Sequence, residues 1–150
     1  MGQQTTEVTP LTKTVTVNRP PEEAFRIYTE GIATWWPLET HSPSQKAETV
    51  IMEPREGGRL YERTRDGEEV DWGEILVWEP PHRLVHSWHL GGPAATEVEL
   101  RFRPEGDGTL IELEHRGWER HGDRAADLRM QYDSGWDFVF GERYAGVASR

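Results

Sequence analysis

Cysteine is absent from the 150 residues, so the chain has no disulfide, no thiolate nucleophile and no thiolate-bound zinc. Basic residues are scarce: 17 Lys and Arg stand against 27 Asp and Glu, a formal net charge of −10. Nucleic acid and anionic membrane surfaces both demand a basic face, so neither is an expected partner. No apolar run approaches the roughly 18 residues that a spanning helix needs. Residues 1–10 are polar and lack the apolar stretch of a signal peptide. These absences predict a cytoplasmic protein without membrane insertion. Six histidines are present, but no two stand at i, i+4 on a predicted helix and none has a His-Glu-x-x-His setting, and His86 and His89 have opposite strand parity. No serine lies in a Gly-x-Ser-x-Gly elbow, and Ser87 faces away from its neighbour His86. Gly57-Gly58 and Gly91-Gly92 read as turns rather than phosphate cradles. No metal and no cofactor are expected.

Tryptophan is what the chain has in quantity, with seven among its 150 residues. Rings this large either fill a core or line a pocket, and their N–H groups need partners when buried. The densest stretch is 73–88, two apolar β-prone runs around Glu79-Pro80-Pro81-His82-Arg83. Proline has no N–H for a ladder, so this corner ends one strand and redirects the next.

Periodicity supplies the other elements. Residues 11–17 alternate, with Leu11, Val15 and Val17 on one face and threonines on the other. Pro20-Pro21-Glu22-Glu23 starts a short helix that Gly31 ends, and residues 32–37 form a second short helical piece. Strands are predicted over 46–53, 59–64, 70–78, 83–90, 97–103 and 109–115, joined by turns at Gly57-Gly58, Asp66-Gly67, Gly91-Gly92-Pro93 and Gly106-Asp107-Gly108. From about Asp123 the period becomes 3.6, with Leu128, Tyr132, Trp136, Val139, Phe140 and Val147 on one stripe. Gly135 and Gly141 interrupt it at about 1 kcal/mol each relative to alanine, which points to close packing or a groove. The organisation is a disordered lead-in over 1–10 and one domain over 11–150. An antiparallel sheet must cover its apolar face, and only the last helix is long enough to do so. A curved sheet around a long helix leaves space between them for a ligand.

Two sets of side chains are candidates for that space. The aromatic set is Trp35, Trp36, Trp72, Trp88, Trp118, Tyr132, Trp136 and Phe140. A filled core explains each ring singly, and together they describe a cavity for a flat or hydrophobic molecule. The polar set is Glu74, which shares parity with Trp72, His86, which shares parity with Leu84 and Trp88, and His115, which shares parity with Ile111 and Leu113. Burial moves such groups toward neutral pKa values, fitting them to orient a ligand or to exchange protons. Glu97, Glu99, Arg101, Arg103, Glu112 and Glu114 read as a solvated outer face of two paired strands.

The ordered set of motifs resembles the SRPBCC superfamily of START and Bet v 1-like proteins, and within it the bacterial homologues of the heat-shock protein 90 ATPase activator. It comprises Val15-Thr16-Val17 before Pro20-Pro21-Glu22-Glu23-Ala24-Phe25, Trp35-Trp36-Pro37, Gly57-Gly58-Arg59, Gly73-Glu74-Ile75, Pro80-Pro81-His82-Arg83-Leu84-Val85, Ser87-Trp88, His115-Arg116-Gly117-Trp118 and Gly135-Trp136. The resemblance implies an α+β helix-grip fold, a curved antiparallel sheet of about seven strands around a long C-terminal helix. It also implies three functional readings. The first is a binding protein for a small hydrophobic or aromatic molecule. The second is a cyclase, isomerase or hydrolase using Glu74, His86 or His115. The third is a module that regulates a chaperone ATPase. Homodimerisation through Trp78 and the strand edges is compatible with all three.

Overall fold

Strict alternation of apolar and charged residues gives long antiparallel strands, and these form the frame of the molecule. The computed structural model describes residues 8–89 and 95–150. Among them seven antiparallel strands run β1 (Leu11–Val17), β2 (Ala47–Met52), β3 (Arg59–Thr64), β4 (Glu69–Glu79), β5 (Arg83–His89), β6 (Ala95–Glu105) and β7 (Gly108–Arg116). Their order across the sheet is β1-β7-β6-β5-β4-β3-β2. Strands β2 through β7 pair antiparallel in sequence order, and β1 pairs with β7, Leu11 opposite His115 and Val17 opposite Thr109. Helices α1 (Pro21–Tyr28) and α2 (Ile32–Trp35) follow β1. The chain closes with a 3-10 segment (Trp118–Arg124), α3 (Ala125–Phe138), a π-helical turn (Val139–Tyr144) and α4 (Ala145–Ala148). This is the helix-grip architecture, a curled half-barrel sheet around a C-terminal helix. No helix among the described residues is long and apolar enough to cross a membrane.

Long-range polar contacts fix the helix in the sheet's grip. Lys13 of β1 pairs with Asp133 and, at 2.8 Å, with Asp137 of α3. Arg129 donates to the carbonyls of Thr9 and Pro10 at 2.7 and 3.1 Å. The Tyr144 hydroxyl donates to the Ala24 carbonyl at 2.8 Å. The predicted helical stripe holds through Phe140, but the π turn then rotates it. Tyr144 and Ala148 are fully buried, while Val147 is half-buried. One extra residue per turn shifts the buried face in this way.

Two expectations are revised. The lead-in over 1–10 does not extend to its end: Thr9 and Pro10 are held by Arg129, and residues 1–7 lie outside the described set, as do the predicted strand end Leu90 and the break Gly91-Gly92-Pro93. Trp78 is half-buried, its ring edge-on to Phe25 at 5.1 Å. The outer face is not wholly solvated. The Glu99 carboxylate is 3% exposed and accepts from Arg83 at 2.7 Å and Arg116 at 2.6 Å, with Arg101 at 2.9 Å. Burial disfavours its charge, but the Arg83 and Arg116 hydrogen bonds outweigh that and hold its pKa below the ordinary value of 4.5.

Candidate functional site

Strand parity decides what faces the helix, and two bulges in β4 reset it. Against β3, Leu60 faces Gly73 and Tyr61 faces Asp71, so Trp72 is an extra residue. Against β5, His86 faces Ile75 and Val85 faces Val77, so Leu76 is another. Each bulge breaks the strict period of two. Trp72 and Ile75 are buried, Trp78 is half-buried, and Glu74 and Leu76 are exposed. Glu74 is therefore not a pocket group. Gly73 belongs to the same device: a Cβ there would meet the Ser87 carbonyl oxygen at 1.9 Å, so only glycine permits this approach of β4 to β5.

The structure brings four of the candidate indoles together. Trp36 lies 5.0 Å from Trp72, 5.5 Å from Trp88 and 6.0 Å from Trp136, centroid to centroid. Trp88 lies 5.5 Å from Trp72 and 6.1 Å from Trp136. These rings, with Tyr132, Gly135 and Val139 of the C-terminal helix and residues 40–43 of the α2–β2 loop, line a cavity of about 400 Å³. That volume suits a small organic ligand. Every one of the four indole N–H groups is committed elsewhere. Trp36 donates to the His41 carbonyl (2.8 Å), Trp72 to Glu62 (2.8 Å), Trp88 to the Tyr132 hydroxyl (3.2 Å) and Trp136 to His115 Nδ1 (3.0 Å). The hydrogen bonds fix the rings and leave their carbon surface to the cavity.

Trp35, Trp118 and Phe140 do not join this wall. Trp35 is fully buried against Tyr28 and Tyr144, and its N–H donates to the Ile27 carbonyl at 2.8 Å. Trp118 donates to the His115 carbonyl at 2.9 Å, and Phe140 stacks on Tyr144. All three are core.

The two histidines lie behind the wall rather than on it. Indole N–H can only donate, so His115 Nδ1 accepts from Trp136 and Nε2 carries the proton. That proton goes to Thr96 Oγ1 at 2.7 Å, and Thr96 donates to the Trp88 carbonyl at 3.3 Å. Both ring nitrogens are occupied and the ring is fully buried; desolvation, reinforced by His86 and His121, pushes its pKa to about 3. His86 Nδ1 sits 3.1 Å from the Ser87 carbonyl, Nε2 is buried without a hydrogen-bond partner, and burial pushes its pKa to about 4. These histidines are neutral supports of Trp136 and Trp88, not proton shuttles at the cavity surface. Glu74, His86 and His115 share no ligand atom, which removes the acid–base set expected from parity.

A buried carboxylate takes a place that the sequence reading did not give it. Glu62 of β3 is fully buried and accepts from Ser42 at 2.9 Å to each oxygen, from Ser44 and from Trp72. It pins the α2–β2 loop, which forms one side of the cavity, to the sheet. Its signal was in the sequence, since Glu62 shares parity with Leu60 and Thr64, both buried. Glu62→Ala strands the Ser42, Ser44 and Trp72 donors in the interior. An expected loss of about 3 kcal/mol follows, with new protease cleavage within 38–46, and unchanged melting of the variant would refute this role.

Comparison with protein families matches residues 18–141 to the family described as "Activator of Hsp90 ATPase homolog 1-like protein". The chain belongs to this family. It is thereby a member of the SRPBCC superfamily. Comparison with curated proteins gives no match. Among solved structures, the chain is similar to Txn09, an anthrahydroquino-γ-pyrone synthase, at 35% identity over 94% of this chain and 97% of that one, with a TM-score of 0.63. It is also similar to CalC of Micromonospora echinospora, a self-sacrificing resistance protein, at 26% identity over 93% of each chain and TM-score 0.69. MLL2253 of Mesorhizobium loti shares the fold at 20% identity, 91% and 94% coverage and TM-score 0.68. This member of the family thus carries its indole-walled cavity at the helix–sheet interface of a fold common to all three.

Proposed function

We propose that this protein binds a flat, largely apolar polycyclic molecule of the aromatic-polyketide kind in the cavity between the sheet and α3. The observation that carries this reading is the wall of Trp36, Trp72, Trp88 and Trp136, whose N–H groups are all used within the protein. Such a wall offers stacking and edge contacts to a planar ring system and few polar demands. The 35% identity to a synthase of an anthrahydroquino-γ-pyrone supports the choice of ligand class. Titration with planar tricyclic aromatics is expected to quench tryptophan emission saturably at about micromolar concentration, whereas saturated fatty acids of equal carbon number leave it unchanged. A linear, unsaturable response to every planar compound would sink the proposal.

The same similarity favours a second reading, in which the bound polyketide is also cyclised. Its proton-transfer group would be His41, which lines the cavity, lies 2.6 Å from Thr40 Oγ1 through Nδ1, and is kept toward its neutral form by burial. Mass-spectrometric detection of a cyclised product from a linear poly-β-ketone supports this reading if His41→Phe abolishes the product and retains binding. Binding without conversion leaves a carrier.

A further inference from the structure

Tyr132 is a polar side chain set among the indoles of the cavity wall, opposite the loop that carries Thr40, His41 and Ser42. Its ring is wedged between His115 at 5.4 Å, Trp118 at 5.8 Å and Trp88 at 6.5 Å, so its position is set by core packing. Its oxygen already accepts the Trp88 N–H at 3.2 Å. Among the described residues its own O–H meets no acceptor, although the residue lines the cavity. A half-buried hydroxyl with one lone pair filled and its proton unused is a donor waiting for a partner. The indole N–H polarises that hydroxyl, and a donor that also accepts is a stronger donor. Gln131 and His89 at the rim are exposed and can find water, whereas Tyr132 stands beside the indoles.

From this geometry we infer that Tyr132 is the ligand-orienting residue of the cavity, and that the ligand presents a carbonyl-type oxygen to it from the edge of its planar ring system. The inference rests on the aromatic-ligand reading and narrows it, because an aromatic hydrocarbon would fill the same space and leave the hydroxyl unpaired. Burial raises the Tyr132 pKa above its ordinary value, so the group stays protonated across the working range. It therefore gives a hydrogen bond to a ketone, quinone or pyrone oxygen and does not serve as a phenolate base.

A matched pair of probes tests this: 9-fluorenone and fluorene have the same tricyclic frame and differ in one carbonyl. Both are titrated by tryptophan quenching into wild type and Tyr132→Phe, after thermal melts show that the two proteins are equally folded. The expected result is a loss of about 5- to 12-fold in fluorenone affinity, the size of one neutral hydrogen bond, with fluorene affinity constant within about twofold. In wild type the infrared carbonyl band of bound fluorenone is expected at lower frequency than in the variant. Equal weakening of both probes makes Tyr132 a packing residue and overturns the inference, as does no weakening of either, while aromatic binding itself stands. Failure of wild type to bind either probe overturns the aromatic-ligand reading and this inference with it.

Discussion

At pH 5 this protein is expected to be about 4 kcal/mol less stable than at pH 7.5, through two buried histidines alone. His86 and His115 have folded pKa values near 4 and 3 against an ordinary 6.5, and both rings are almost completely buried. The unfolded chain binds protons at these positions more readily than the fold does. Stability is thus full above pH 6.5 and falls with pH down to the folded values. Within that window each histidine contributes a slope of about 1.4 kcal/mol per pH unit, so the pair loses about 2 kcal/mol apiece by pH 5. Carboxylates such as Glu99 act in the same direction only below the ordinary 4.5, which leaves the histidine window separately visible. The measurement is the urea midpoint at pH 7.5 and 5.0. His86→Leu removes one titrating ring and an unpartnered Nε2, and is expected to halve the slope at little cost at pH 7.5. Coincident midpoints at the two pH values, or a variant as acid-sensitive as wild type, would show that these rings do not hold the neutral state assigned to them.

Replacing Gly135 separates stability from binding. The glycine lies inside α3 on the cavity wall, and a Cβ there would meet nothing within 4 Å. Close packing therefore does not require it, and helix propensity opposes it by about 1 kcal/mol. What the missing side chain provides is room for the ligand. Gly135→Ala is expected to raise the melting temperature. Gly135→Leu should keep that helix gain and project its side chain into the cavity, lowering affinity for planar aromatics by about 100-fold, or 2.7 kcal/mol. A stabilised leucine variant that still binds with wild-type affinity would place the ligand elsewhere. Stability and function pull in opposite directions at this residue, as is common where a site needs empty space.

The periodicities placed the long elements well because burial acts locally on them. The alternation around Val98–Phe102 and Ile111–Leu113 marks strands in any tertiary setting, and the stripe Leu128–Tyr132–Trp136 marks a helix. The order of these elements leaves one helix to cover one sheet, so the helix-grip fold was legible before any coordinate. The candidate site was legible only in part. Trp36, Trp72, Trp88, Tyr132 and Trp136 meet at the cavity, but Trp35, Trp118 and Phe140, equal to them in apolar character, are core. A ring's hydrophobicity favours burial and does not say whether protein or empty space lies beyond it.

Glu74 and Glu62 show the same limit from opposite sides. Counting by twos from Trp72 sends Glu74 inward, yet bulges at Trp72 and Leu76 turn it to solvent. Glu62 has core parity, and its carboxylate finds its partners only in the fold: Ser42 and Ser44 from a loop 18 to 20 residues away and Trp72 from the neighbouring strand. The sequence by itself determined the element types, their order, the absence of thiol chemistry and the wealth of indoles. The tertiary structure decided which indoles border a cavity, which carboxylate is buried and which hydroxyl keeps an unused proton. Those outcomes depend on strand register and on partners distant along the chain, and neither is contained in a local repeat of two or 3.6 residues.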